Sequence, residues 1–547
     1  MKKAMAMLLA MTIAFGLTAC GGGQTGQTSG GGAQSSGADS EAQSAESNGG
    51  TPEPMELSIM NWDIGDSFSD DGTSDRMLDF VQDKFNITIK PVNVSWDDAG
   101  EKATTWAAAG SLPDVIGAVA LPGSGQFYQW INDGVVRALP EDLSAYPEVK
   151  RNVAQPEVQA YAIDGRNYFL PRQTYPDASW WCMDRGIINR KDWREQLGIG
   201  IPKTEQDFID MWAAYSNSDP NGDGSVVYGM SPNTRWPLQS QTMTTFGYTS
   251  DNWMKMDDGS IVLPVMEKST LPLMSFYRRA FAAGGIHPDF VTALSDDALE
   301  WFVAGQIGTL LRQTSPKHMK RIFDDWNKVQ KDKDYFDCIE ILHPPEVPGV
   351  KPVRFGEKAY WSETYINSAV DDVKMAKILE FYDYFYTDEA MKLLLYGFEG
   401  EDYKMDGNEV VMLTEVNPDT GMQKTAGEIY RFAYGGMNWL VSWPGDYLQY
   451  VDPSIPEGIR EMCTIERNYR IANWEAPNID YRISAIDVPE KGEMSAVSYN
   501  DDWAAFIVNT SDAADEELYE QMYANWEVNG YKAAKDALTK KVAELGY

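Results

Sequence analysis

Tryptophans stand beside polar residues at several points where this chain breaks its regular patterns. Trp62-Asp63 closes an apolar alternating run, and Arg172 and Trp180 lie in one extended segment. Arg235-Trp236 sits in a proline-flanked loop, Trp361 and Tyr365 follow a second irregular stretch, and Trp439 and Trp443 come after Gly435-Gly436. Such pairs suit the recognition of sugars. An indole ring stacks on the C–H face of a pyranose, a carboxylate accepts hydroxyl hydrogen bonds, and a guanidinium donates several in fixed geometry to hydroxyls or to a uronate carboxylate. Of the adjacent Trp180 and Trp181, only one can point to a given side of an extended segment, and Trp180 is the candidate. The competing reading for each is a tryptophan packed under its loop. Trp106, Trp193, Trp212 and Trp526 fall in helix-like patterns and are expected in the core.

Other chemistries find less support. His287, His318 and His343 form no H-E-x-x-H pair, and there is neither a G-x-S-x-G elbow nor a phosphate-binding loop lysine. No catalytic residue is assigned. With 82 acidic residues, pairs of carboxylates arise by coincidence, so a surface glycoside hydrolase, which needs only two acids, stays as the enzymatic alternative. Asp219-Pro220-Asn221-Gly222-Asp223-Gly224 has the oxygen ligands and turn glycine of the first half of a calcium loop. The second half fails, because Val227 replaces a ligand and Met230 stands where a bidentate acid belongs. Asp219, Asn221 and Asp223 are therefore weak metal candidates beside a plain Asx-Gly turn, and no cofactor is expected. Cys182, Cys338 and Cys463 match no metal or redox spacing; they read as small buried side chains, with one disulfide still open.

The elements that must position these residues follow from periodicity. Leu57 and Ile59 alternate as in a strand. A helix follows, with Ser74 as cap and Met77, Val81 and Phe85 on one face; Ile87 and Ile89 then alternate again, and Leu112-Pro113-Asp114 turns into a buried strand at Val115-Ile116. Strand–helix–strand at this spacing implies an α/β sheet with crossover helices. Thr204 and Asp207 bracket a helix start, the proline-rich stretch His343 to Pro352 looks like a connection between lobes, and a last helix starts near Asp515. The formal net charge of −36 repels phosphate backbones and argues against nucleic acid.

At the N-terminus, Met1-Lys2-Lys3 precedes an apolar run from Ala4 to Leu17 with the length of a signal peptide, and Leu17-Thr18-Ala19-Cys20 resembles a bacterial lipobox. Acylation of Cys20 would hold the protein at a membrane surface. Residues 21–50, rich in Gly, Ser and Gln, have no aromatic and no aliphatic larger than Ala, and read as a flexible tether.

Asp164-Gly165-Arg166-Asn167-Tyr168-Phe169-Leu170-Pro171-Arg172 continues through Asn189-Arg190-Lys191-Asp192-Trp193, Leu197-Gly198-Ile199 and Pro202-Lys203-Thr204. With Leu112-Pro113-Asp114-Val115, the 219–224 segment, Tyr396-Gly397-Phe398-Glu399-Gly400 and the Trp526 to Gly530 region, this order resembles the extracellular solute-binding proteins of ABC importers, in the carbohydrate branch of the maltose-binding-protein type. The resemblance implies a two-lobe α/β fold of the type II periplasmic-binding-protein class, with a hinge near Leu170-Pro171 and ligand between the lobes. It also implies a monomeric, lipid-anchored receptor on the outer face of the membrane that delivers an oligosaccharide to permease subunits. A peptide or another non-sugar solute is the alternative ligand. Phe169 stands where the family carries glycine, which implies a stiffer hinge. The expected layout is a signal peptide over 1–19 and the lipidated Cys with linker over 20–54. The first lobe takes 55–170 and most of 351–435; the second takes 171–350 and most of 436–547.

Overall fold

Strands alternate with helices along the chain because apolar side chains recur at period two and then at helical spacing. In the computed structural model the described residues are 53–547, except 118, 120, 176, 185, 233–251, 295, 355–357, 408, 419–420, 434–435 and 442–451. The signal sequence, Cys20 and the tether lie outside them.

The strands are β1 (Met55–Trp62), β2 (Ile87–Val94), β3 (Val115–Gly117), β4 (Phe169–Gln173), β5 (Gly186–Arg190), β6 (Tyr228–Pro232), β7 (Met254–Lys255), β8 (Ile261–Val262), β9 (Ile307–Arg312), β10 (Ile339–Leu342), β11 (Tyr360–Ile366), β12 (Tyr403–Asp406) and β13 (Glu409–Met412). Two sheets carry the molecule. The first has the order β2-β1-β3-β11-β4, with β1 parallel to β2 and β3 and with β11 antiparallel to β3 and β4. The second has the order β10-β5-β9-β6, with β6 parallel to β9 and β5 antiparallel to its neighbours. Pro91 and Pro171 lie in β2 and β4, the two edge strands of the first sheet, where a missing backbone donor costs no ladder bond.

The first sheet is covered on both faces. Leu57, Ile59, Ile87, Ile89, Leu170 and Ile366 pack against helices Arg76–Phe85 and Asp372–Phe385; Met60, Trp62, Ile116, Phe169 and Tyr365 pack with Phe127 and Trp130. The second sheet anchors a larger core with Trp193, Trp212, Phe276 and Trp326, to which the C-terminal helices Asp515–Val528 and Tyr531–Leu545 add Trp526 and Leu538. These are two α/β lobes, as the strand–helix alternation requires. Trp193, Trp212 and Trp526 are fully buried, and Cys182, Cys338 and Cys463 are buried thiols that form no disulfide among the described residues.

Several boundaries differ from the sequence expectation. The first lobe runs through Gln173, because Leu170 and Pro171 are paired in β4 with Thr364 and Glu363. The expected hinge is therefore sheet, and Phe169 is held among Phe127, Tyr161, Tyr360 and Tyr365. The chain crosses between lobes at Thr174 and Tyr175, whose N–H groups both donate to Ala359 O at 3.1 Å. Residues 352–354 still pair with Glu475 near the second lobe, and Met437, Leu440 and Val441 belong to the first-lobe core, so 351 and 436 are not lobe boundaries. The helix expected to start at Ser74 is capped by Asp75, which accepts from Met77 N and Leu78 N. Thr204 and Asp207 form the expected capping box.

Gly229 in β6 shows how closely the second lobe is packed: a Cβ there would come within 2.3 Å of Trp212 O and 2.5 Å of Gly285 O. These are backbone atoms that cannot swing away. Gly229→Ala is expected to cost on the order of 2–4 kcal/mol, measured as a lower urea midpoint with an unchanged slope.

Candidate functional site: an aromatic platform beside the lobe crossings

Topology collects one set of side chains at a single sheet edge. Trp62 ends β1, Arg172 stands one residue before the end of β4, and Trp96 lies just past the end of β2. Trp361, near the start of β11, reaches the same edge because that strand runs the opposite way. The register shift between Tyr360 and Ser362 turns the strand at this point.

The three indoles pack together. Trp96 stacks on Trp361 at 5.2 Å between ring centroids, and Trp62 lies 4.6 Å from Trp96 and 5.4 Å from Trp361. The Arg172 guanidinium sits 5.1 Å over Trp361 and 5.8 Å over Trp62, and its Nε donates to Ser362 Oγ at 2.8 Å. Trp361 touches the cores of both lobes. Trp96 is 56% exposed, whereas Trp62 is only 5% exposed and its indole N–H is buried without a partner. Trp62 is thus the floor of the platform and Trp96 its open face.

Asp63 follows in the left-handed region at φ 47°, and its carboxylate caps nothing. Burial raises its pKa, and the charges of Asp66 and Asp98 add to the effect. Glu363, 2% exposed in β11, accepts from Leu121 N at 2.7 Å and so holds the chain beyond β3. Burial pushes its carboxyl up to about 7, against the opposing pull of that hydrogen bond and of Lys358 and Arg172.

A second group lies on the other lobe. Trp180, half-buried in the short helix Ala178–Asp184, carries the Arg467 guanidinium 3.9 Å over its ring. Arg467 belongs to helix Glu457–Asn473, as do Glu466 and Arg470, which form a buried pair at 2.6 Å. His343, the first residue past β10, reaches Glu466 at 3.1 Å and stacks on Tyr469 at 3.5 Å.

Of the residues singled out in the sequence, Trp62, Arg172 and Trp361 are brought together, and Trp180 stands apart on the second lobe. Tyr365 was expected at the ligand but is fully buried against Phe127, Trp130 and Phe169, four residues further along β11 than Trp361 and deeper in the first-lobe core. Trp106 is half-buried against the first-lobe core. Arg235, Trp236 and Trp443 lie outside the described residues, and Trp439 falls in helix Gly436–Val441. Sequence reasoning missed Trp96, although its place just past the alternating Val92 and Val94 was a usable signal. It also missed Arg467, which no local pattern marks.

At the weak metal candidate, Asp219 accepts from the N–H groups of Gly222, Asp223 and Gly224, while Asn221 donates to Gly305 O at 2.8 Å. Val227 and Met230 are core residues. Among the described residues, no cluster of three or more His, Cys, Asp or Glu could hold a metal ion.

Three outcomes follow from this geometry. Trp62→Ala removes a buried ring and is expected to destabilise by about 3–5 kcal/mol, whereas Trp96→Ala leaves the melting temperature nearly unchanged; paired denaturation curves check this. Glu363 contributes a pH dependence of definite sign. Its native pKa lies above the unfolded value of 4.5, so its neutral form is compatible with folding below pH 4.5, and stability is lost as pH rises from there through about 7. The loss is on the order of 3 kcal/mol and is expected to be absent in Glu363→Gln, read from urea titrations at pH 4.5 and 7.5. Chelator is expected to move the melting temperature little; a large drop restored by calcium would mean that ligands outside the 219–224 loop complete a site.

No family model matches the chain. It is similar to Lipoprotein LipO of Bacillus subtilis, 23% identical over 346 residues, which cover 60% of this chain and just under two thirds (65%) of LipO. It is similar to the polygalacturonan/rhamnogalacturonan-binding protein YtcQ of the same organism, 20% identical over 66% of this chain and 69% of YtcQ. A shorter stretch of 154 residues is 30% identical to the fructooligosaccharide ABC transporter substrate-binding protein FusA of Streptococcus pneumoniae, covering 25% of this chain and 27% of FusA. Among solved structures, the alginate-binding protein AlgQ2 superposes with a TM-score of 0.65 at 16% identity, over 90% of this chain and 98% of AlgQ2. FusA in complex with kestose gives a TM-score of 0.61 at 16% identity, over 90% and 99%. In line with the resemblance carried by Asp164 to Thr204, the chain has the two-lobed fold of the solute-binding proteins, and sugar-binding proteins of ABC transporters are among its relatives and structural neighbours.

Proposed function

We propose that this protein is the substrate-binding component of an ABC importer and captures an oligosaccharide between its lobes. The observation that carries the reading is the platform itself. Three tryptophans converge at one end of the sheet under an arginine, followed directly by the Asp63 carboxylate, where the first two lobe crossings meet. A sugar needs flat apolar faces bordered by donors and acceptors, and this edge supplies all three. Relatives named for binding polygalacturonan and fructooligosaccharide support the same reading. They are binding proteins rather than enzymes, which favours capture over glycoside hydrolysis. Closure of the lobes around the ligand would complete the surface that permease subunits engage. The lipobox-like Leu17 to Cys20 and the tether behind it support a receptor anchored by lipid to the outer face of the membrane, which acts as a monomer in this reading.

The decisive experiment is calorimetric titration with an oligosaccharide panel, followed by recovery of the ligand. Stoichiometric binding with the sugar returned intact is expected; release of reducing ends would identify the hydrolase instead. Trp96→Ala should weaken binding by roughly thirtyfold, as a buried aromatic contact worth about 2 kcal/mol implies. Saturating ligand should also lower the radius of gyration in solution scattering, and Cys20→Ala should release the protein from the membrane fraction.

A further inference from the structure

We infer that the ligand is an acidic oligosaccharide and that Arg467 reads its carboxylate; this rests on the sugar-binding reading above. The chain carries 82 acidic residues against 46 basic ones, so a guanidinium without an acidic neighbour runs against the odds. Five other partly or fully buried arginines follow the pattern. Arg190 pairs with Asp192, Arg194 with Glu340, Arg278 with Asp515, Arg312 with Asp296 and Arg470 with Glu466.

Arg467 breaks it. Its guanidinium lies 3.9 Å over Trp180, and among the described residues its hydrogen bond is a long 3.4 Å contact to Ser179 Oγ and its buried Nε has no partner. Glu466, the neighbouring acid, is already engaged by Arg470 and His343. Burying donors of a cation without a partner costs free energy, so the arrangement persists only if something else uses it. The stack on Trp180 fixes the plane of the guanidinium and leaves its edge for a planar, two-oxygen acceptor, which is the geometry of a carboxylate.

Place favours a ligand over a structural role. Ser179 and Trp180 follow directly on the first lobe crossing and are partly open to solvent, as is Arg467. Asp63, on the other lobe, has a carboxylate free to accept hydroxyl hydrogen bonds, and it would repel an acid. A sugar acid would therefore bind with its carboxylate toward Trp180 and Arg467 and a hydroxyl edge toward Trp62 and Asp63.

The test is a thermal-shift and calorimetric comparison of trigalacturonate and trimannuronate with their methyl esters and with neutral kestose and xylotriose. A uronate trimer is expected to raise the melting temperature while its ester does not. Arg467→Gln should then weaken uronate binding roughly tenfold to a hundredfold, and Arg467→Lys should recover part of the loss. Melting curves of both variants without ligand separate lost binding from lost folding. Uronate binding that Arg467→Gln leaves unchanged would overturn the assignment of this residue. Binding of a neutral trimer in preference to both uronates would overturn the acidic ligand and leave the sugar reading standing. If no glycan of either class shifted the melting temperature, both readings would fall.

Discussion

One carbonyl ties the two lobes together. Ala359 O accepts from both Thr174 N and Tyr175 N, so the outward and returning crossings are joined where each leaves the first sheet. Each hydrogen bond contributes only about 1 kcal/mol, but their position matters more than their strength. They hold β4 and β11 in register to the end of the sheet, and so fix Arg172 and Trp361 side by side. A rotation of one lobe against the other would bend these two crossings here, with Trp361 in contact with both cores.

Around that point the platform is built unevenly. Its floor, Trp62, is committed to the first-lobe core, and its outer ring, Trp96, is held mainly by two indole neighbours. Behind them Glu363 sits in a place that disfavours its charge, tied to Leu121 N. A buried acid costs stability at neutral pH, and what it provides is the position of the chain that leaves β3. The second lobe shows the opposite economy. Its core contains fully buried tryptophans, and glycines such as Gly229 and Gly308 admit the Trp212 backbone and the Tyr215 ring where no Cβ would fit.

Much of the architecture was legible from local pattern. Alternation at Leu57 and Ile59 and the capping pair Thr204 and Asp207 each fix an element without reference to anything distant, because period and cap chemistry act within a few residues. The same locality explains the small errors. Ser74 and Asp75 are equally good caps in sequence, and only the backbone's entry angle selects Asp75. Leu170-Pro171 looked like a hinge, yet a proline in an edge strand costs nothing, and the aromatic nest around Phe169 keeps it in the sheet.

The site divides along the same line. The sequence by itself determined which residue types were available at the strand ends, so Trp62, Arg172 and Trp361 could be singled out, and it determined the strongly acidic background. It did not determine that Tyr365 turns inward, that Trp96 caps the platform, or that Arg467 lies on Trp180, 287 positions away in the numbering. Those facts depend on strand order, on the direction of β11 and on how a late helix packs against an early crossing. Such contacts join residues with no local signal in common, and only the folded chain brings them within van der Waals reach.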